Sequence, residues 1–186
     1  MKTVLVNKII NKLDVIFMTL ALNQGIECKL ENLVSFLRNE TLQTDYYAEV
    51  VTIAENLGFK VFNVNFKDNN VSGYIEVDAD APENNKISVN ASHCDARKRF
   101  TIAHEIGHYV LEHLNSDCKK YRKIDYDNND NSSEERQANK FAATLLMPKK
   151  MISEVWKQFK DIKITASTFG VSQEACAIRL SKLNLV

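Results

Sequence analysis

A chain of 186 residues with 45% hydrophobic content can bury one real core, or one core with a small appendage. Its 24 basic and 24 acidic residues cancel, so no global field directs it to nucleic acid or a membrane surface. Cys28, Cys94, Cys118 and Cys176 lie far apart with no CxxC pair, which excludes a disulfide framework and points to a reducing, cytoplasmic setting.

The first apolar run, Val15 to Leu22 (VIFMTLAL), is too short to span a bilayer, and no small-residue cleavage site follows it. A helix over about Val4 to Leu22 is expected, then a second from Leu30 to Arg38 after the break at Asn23-Gln24-Gly25. Residues 1–40 carry no chemical motif, which leaves them a packing or partner-binding role. Asp45 to Leu57 has the pattern of an amphipathic helix stopped by Gly58. Lys60 to Phe66 (KVFNVNF) alternates like a half-buried strand, and Gly73 to Val77 and Lys86 to Asn90 read as two more. The acidic, proline-containing turn Asp78 to Asn85 separates the last two. A small antiparallel sheet of three strands is therefore expected. Gly73 to Val77 is either an ordinary structural strand or an edge on which an extended peptide could add a strand.

The sheet leads into Arg97 to His113, RKRFTIAHEIGHYVLEH, the densest patch of metal-capable chemistry in the chain. On a helix, His104 and His108 stand about 40° apart around the axis and roughly 6 Å apart along it. Both imidazoles can reach one ion from the same side, with Glu105 beside it to take a proton from water. This is the zinc-hydrolase pattern HExxH. Gly107 costs about 1 kcal/mol against alanine in a helix interior, and close approach of another backbone would explain it. His113, nine residues beyond His104, falls half a turn round and is expected to point away from the ion.

Asn115 to Ser133 is polar and mixed in charge, and reads as a surface loop. Its acidic stretch Asp125 to Asp130 lacks the turn glycine and closing glutamate of a calcium loop. The next helix opens with Ser132 or Ser133 as N-cap and runs to Met147 before Pro148. A catalytic zinc site needs a third protein ligand, and this helix offers two. Glu135 shares a face with Asn139, Ala138 and Ala142, and Asn139 could hold the outer nitrogen of a ligating histidine. Glu134 is the rival by adjacency, about 100° away and without a polar partner one turn on.

Beyond Pro148, Lys149 to Phe159, Thr165 to Phe169 and Ser172 to Leu183 read as three helices. The stretch Thr168 to Ser172 is like the tight turn of a helix-turn-helix. Seven basic side chains against three acidic ones make DNA contact conceivable, but a helical lid packed on the core is the preferred reading.

Two blocks, Arg99-Phe100-Thr101-Ile102-Ala103-His104-Glu105-Ile106-Gly107-His108 and Glu135-Arg136-Gln137-Ala138-Asn139-Lys140-Phe141-Ala142-Ala143-Thr144-Leu145-Leu146-Met147-Pro148, resemble in order and spacing the ImmA/IrrE-type metallopeptidases. The resemblance covers roughly residues 45–186, and Gln137 stands where that family often has an acidic residue. It implies an α+β fold, with a small sheet on a zincin-like helical core of residues 41–148 and a helical tail of residues 149–186. By that resemblance His104, His108 and Glu135 bind zinc (or manganese) and Glu105 is the general base. Asn139 would support the ligands from outside. It implies a cytoplasmic endopeptidase that uses metal-activated water on a helix-turn-helix repressor, in a phage, mobile-element or stress-response setting, relieving repression. Two other readings are a non-catalytic binding or antitoxin-like partner that keeps the fold, and a DNA-binding regulator acting through the tail. The oxyanion donor is not legible: Tyr109, Tyr121, Tyr126 and Arg99 are candidates by proximity, and His93 precedes the helix.

Overall fold

In a computed structural model the described residues are 26–41, 45–68, 70–114, 120–126 and 132–186. The helix expected over Val4 to Leu22 lies outside them. Among the described residues are seven α-helices and a four-stranded sheet, an α+β arrangement. No described helix is long and apolar enough to cross a membrane.

Helix α1 (Ile26–Glu40) turns Leu30, Leu33, Val34 and Leu37 into the core at the spacing of a single helix face. A short helix α2 (Val50–Asn56) follows. It begins later than the expected Asp45, because Asp45 to Tyr47 form a bend. Gly58, at φ 92, turns the chain into strand β1 (Lys60–Val64). Strands β2 (Val71–Asp78) and β3 (Lys86–Asn90) form an antiparallel pair around a 3-10 turn at Pro82–Asn84.

Two expectations about the sheet are corrected. It is mixed, because β1 runs parallel to β3, with Lys60 opposite Lys86 and Val64 opposite Asn90. It also has a fourth strand, β4 (Lys120–Tyr126), inside the segment read as a loop. The order β1-β3-β2-β4 makes β2 an interior strand, so Gly73 to Val77 is not a free edge. The lysine- and arginine-rich sequence KYRKIDY hides a strand from an apolar-alternation test, and such charges are common on edges.

Helix α3 (Asp95–Val110) lies against this sheet. The approach is close at Gly73, where an added Cβ would come within 2.6 Å of both Thr101 Cγ2 and the Ser88 carbonyl oxygen. A glycine is required there by space. Helix α4 (Ser133–Leu146) is capped by the Ser132 hydroxyl, which accepts from the Glu135 N–H at 3.2 Å. α4 packs on α3 with Ala138, Phe141, Ala142 and Leu145 fully buried. Gly107 allows this: a Cβ on it would stand 3.2 Å from the Ala138 carbonyl oxygen and 3.0 Å from Phe141.

The tail forms α5 (Lys149–Phe159), α6 (Ile162–Phe169) and α7 (Gln173–Lys182), with Gly170 at φ 62 between the last two. It is fastened by buried arginines. Arg99 of α3 donates to the carbonyls of Gly170 at 3.1 Å and Phe169 at 3.3 Å, with its guanidinium 3.6 Å above the Tyr47 ring. Arg179 of α7 donates to the Met147 carbonyl at 3.1 Å and to Glu31 of α1 at 2.8 Å. The same Glu31 carboxylate accepts the Lys149 N–H.

Candidate metal centre

The last two turns of α3 are almost wholly inside the protein. His104 is 3% exposed, and Glu105 and His108 are at 0%. Glu135, in the first turn of α4, is 9% exposed and faces the two histidines, whereas Glu134 is exposed. Of the two glutamates, Glu135 is the one that lies in the buried group with the histidines. Glu135 Oε2 lies 3.1 Å from His104 Nε2, Glu135 Oε1 lies 3.2 Å from His108 Nε2, and the two Nε2 atoms are 3.0 Å apart.

The hydrogen-bond chemistry of this triangle sets its charge requirement. Asn139, on the same α4 face one turn after Glu135, presents Oδ1 to His104 Nδ1 at 3.1 Å. A carbonyl oxygen only accepts, so His104 carries a proton on Nδ1, and in its neutral form Nε2 is the lone pair. That lone pair points at a carboxylate oxygen and at a second imidazole nitrogen. With His108 also protonated on Nδ1, the two Nε2 lone pairs and the carboxylate would repel one another unless a proton or a cation sat among them. The edges of 3.0–3.2 Å are close to the donor separations of about 3.3 Å that follow from metal–ligand bonds of about 2.0–2.1 Å in a tetrahedral zinc site. The donor set of two imidazoles and one carboxylate fits the ion, and this buried group can hold a metal.

The remaining sequence candidates sit on α3, on β4 and in the turn before α3. Arg99 is committed to the tail carbonyls and to Tyr47. Tyr109 packs edge-on against Phe59 with centroids 4.8 Å apart, and burial pushes its phenol pKa up. Tyr121 and Tyr126 occupy β4, opposite Val77 and Val71. His93 is half-buried and stands outside the three-residue group.

His113 is the residue that sequence reasoning misplaced. Its backbone leaves the helix before the wheel can carry it to the far side, and its Nδ1 lies 3.1 Å from His108 Nδ1. The expectation assumed a helix running to His113; α3 ends at Val110. No apolar period marks such a stop, though the polar Glu112-His113 pair after Leu111 is a weak sign of one.

An α+β fold with two histidines of an HExxH helix and a glutamate of the following helix around one point defines a metallopeptidase-like centre. Residues 54–181 match the IrrE N-terminal-like domain family (Peptidase_M78). The match covers well over half of the chain, and the protein belongs to that family. No curated protein matches the sequence.

Proposed function

We propose that the chain is a metal-dependent endopeptidase, with His104, His108 and Glu135 as ligands, Glu105 as general base and Asn139 holding His104 in its ligating tautomer. The observation that carries this reading is the convergence of three buried ligand-capable side chains on one point next to a fully buried glutamate.

The chemistry supplied by a bound zinc or manganese ion is Lewis acidity, which makes water acidic enough to attack and polarises a scissile carbonyl. The chain's own work is proton transfer and positioning. Glu105, one residue from His104 on the same helix, accepts the proton of the attacking water and hands it to the departing amine. Membership of a peptidase family implies a protein substrate, and the substrate proposed is a helix-turn-helix repressor in the cytoplasm, whose cleavage relieves repression. DNA binding through the tail is disfavoured by the exposed face of α7, which offers Gln173, Glu174, Ala177, Ile178, Ser181 and Lys182. Its one arginine, Arg179, is buried against Met147 and Glu31.

The test is Glu105→Gln against wild type, with metal content and cleavage of the candidate repressor measured together. The variant is expected to keep one metal per chain and lose cleavage by about 10²–10⁴-fold. Near-wild-type cleavage would remove Glu105 from the mechanism. Cleavage by neither protein, with metal retained in both, would favour the non-catalytic partner.

A further inference from the structure

The ligand-bearing helix ends in a sharp reversal that brings a third histidine back to the site. After Val110 the chain passes through Leu111, and Glu112 takes φ 57, in the left-handed region. The Glu112 N–H then bonds the Tyr109 carbonyl at 3.2 Å, and the His113 N–H bonds the His108 carbonyl at 3.0 Å. These two bonds make the Schellman closure of a helix, which lays the second residue past the cap back over the last turn. The residues so brought together are His113 and His108. Where that motif commonly sets one apolar side chain on another, this chain sets two imidazoles, with centroids 5.2 Å apart and planes at 66°.

We propose that His113 is a positioning residue for the metal centre, acting through His108. The inference rests on the reading of His108 as a ligand. His108 can offer Nε2 as a lone pair only when its proton is on Nδ1. That Nδ1 faces His113 Nδ1 at 3.1 Å, so His113 accepts the proton and turns its own Nε2 to the N–H form. Asn139 Oδ1 does the equivalent for His104. Each ligand imidazole thus has its outer nitrogen held by a separate device. One is a side chain from the facing helix, and the other is a turn at the end of the ligand's own helix. Outer partners of this kind fix ring orientation and tautomer, and losing one typically costs 10–100-fold in metal affinity.

The test is zinc affinity by chelator competition on the full chain, for wild type, His113→Leu and His113→Asn, with thermal unfolding of the metal-free proteins alongside. Asparagine places an accepting Oδ1 where the histidine has Nδ1. His113→Leu is expected to bind zinc about 10–100-fold more weakly, His113→Asn to stay close to wild type, and the three metal-free proteins to melt together. A leucine variant that binds as tightly as wild type would overturn the proposal. So would equal losses in both variants, which would mean that the imidazole acts by shape. If wild type takes up no zinc, the ligand reading falls first and the role of His113 with it. That result is recognisable because Glu135→Ala would then match wild type.

Discussion

Where α1, α3 and α7 are fastened to the rest of the chain, buried cations meet oxygen atoms; between α3 and α4, two imidazoles meet a carboxylate. Arg38, Arg99 and Arg179 are each 8% exposed or less, and each donates to main-chain carbonyls: Leu145 and Asp45, Gly170 and Phe169, and Met147. Burial lowers the pKa of Arg38 and Arg99, against opposing pulls from Asp45 on the first and from Tyr47 and Glu49 on the second. Each guanidinium there is held by oxygen acceptors of the chain, although the buried Nε of Arg38 has no hydrogen-bond partner. The His104, His108 and Glu135 triangle, equally buried, gathers three atoms that can each hold a metal ion. Both regions contain buried polar groups, yet among the described residues only the second gathers the donor atoms of a metal site. Burial alone therefore does not identify a site; the chemistry of what converges does.

The largest effect should come from removing one corner of the triangle. Glu135→Ala is expected to abolish stoichiometric zinc binding, while Glu134→Ala leaves one ion per chain, as metal analysis of the purified proteins would read. Loss in both variants, or in neither, would erase the contrast. Next comes a closed contact in the tail. Arg179→Ala leaves Glu31 and the Met147 carbonyl short of a donor, and is expected to cost about 2–4 kcal/mol in urea unfolding. Its zinc affinity under folding conditions should be unchanged; a parallel loss would mean that the tail also shapes the site.

Gly107→Ala tests the seam between the two helices. The added methyl meets the backbone of Ala138 at 3.2–3.3 Å, so overpacking of about 1–3 kcal/mol opposes a helix-propensity gain of about 1 kcal/mol. A net loss of about 1 kcal/mol and weaker zinc binding are expected. Stabilisation with unchanged affinity would show that α3 and α4 separate without cost. The smallest effect belongs to Glu112→Gly. Relief of the left-handed strain should raise stability by about 0.5–1 kcal/mol and keep zinc affinity, because the turn that returns His113 is preserved.

Much of the helical frame was legible because it is written locally. Ser132 and Ser172 cap α4 and α7 with their hydroxyls, Gly170 ends α6, and the 86–90 strand and the 149–159 helix match their expected bounds. The sheet was less legible. The β2–β3 hairpin is a neighbour-to-neighbour pairing, but the parallel partnership of β1 with β3 is long-range and leaves no period in the sequence. Strand β4 was missed because charged residues dominate it, and hydrophobic alternation is a signal of a buried face.

For the site, helical spacing alone places His104 and His108 on one side of α3, since 3.6 residues per turn holds for any sequence that stays helical. A face shared with Asn139 made Glu135 the better of two glutamates. Two things were decided only by the packed chain. Glu135 was brought against the histidines by α3 and α4 touching at Gly107, a contact set by the shape of two surfaces. His113 was brought to His108 because α3 stops at Val110 and the chain reverses through Glu112, a residue with no intrinsic preference for the left-handed region. Periodicity describes where a helix points its side chains while it lasts. Where it ends, and what comes back across it, is settled by the contacts that close the turn.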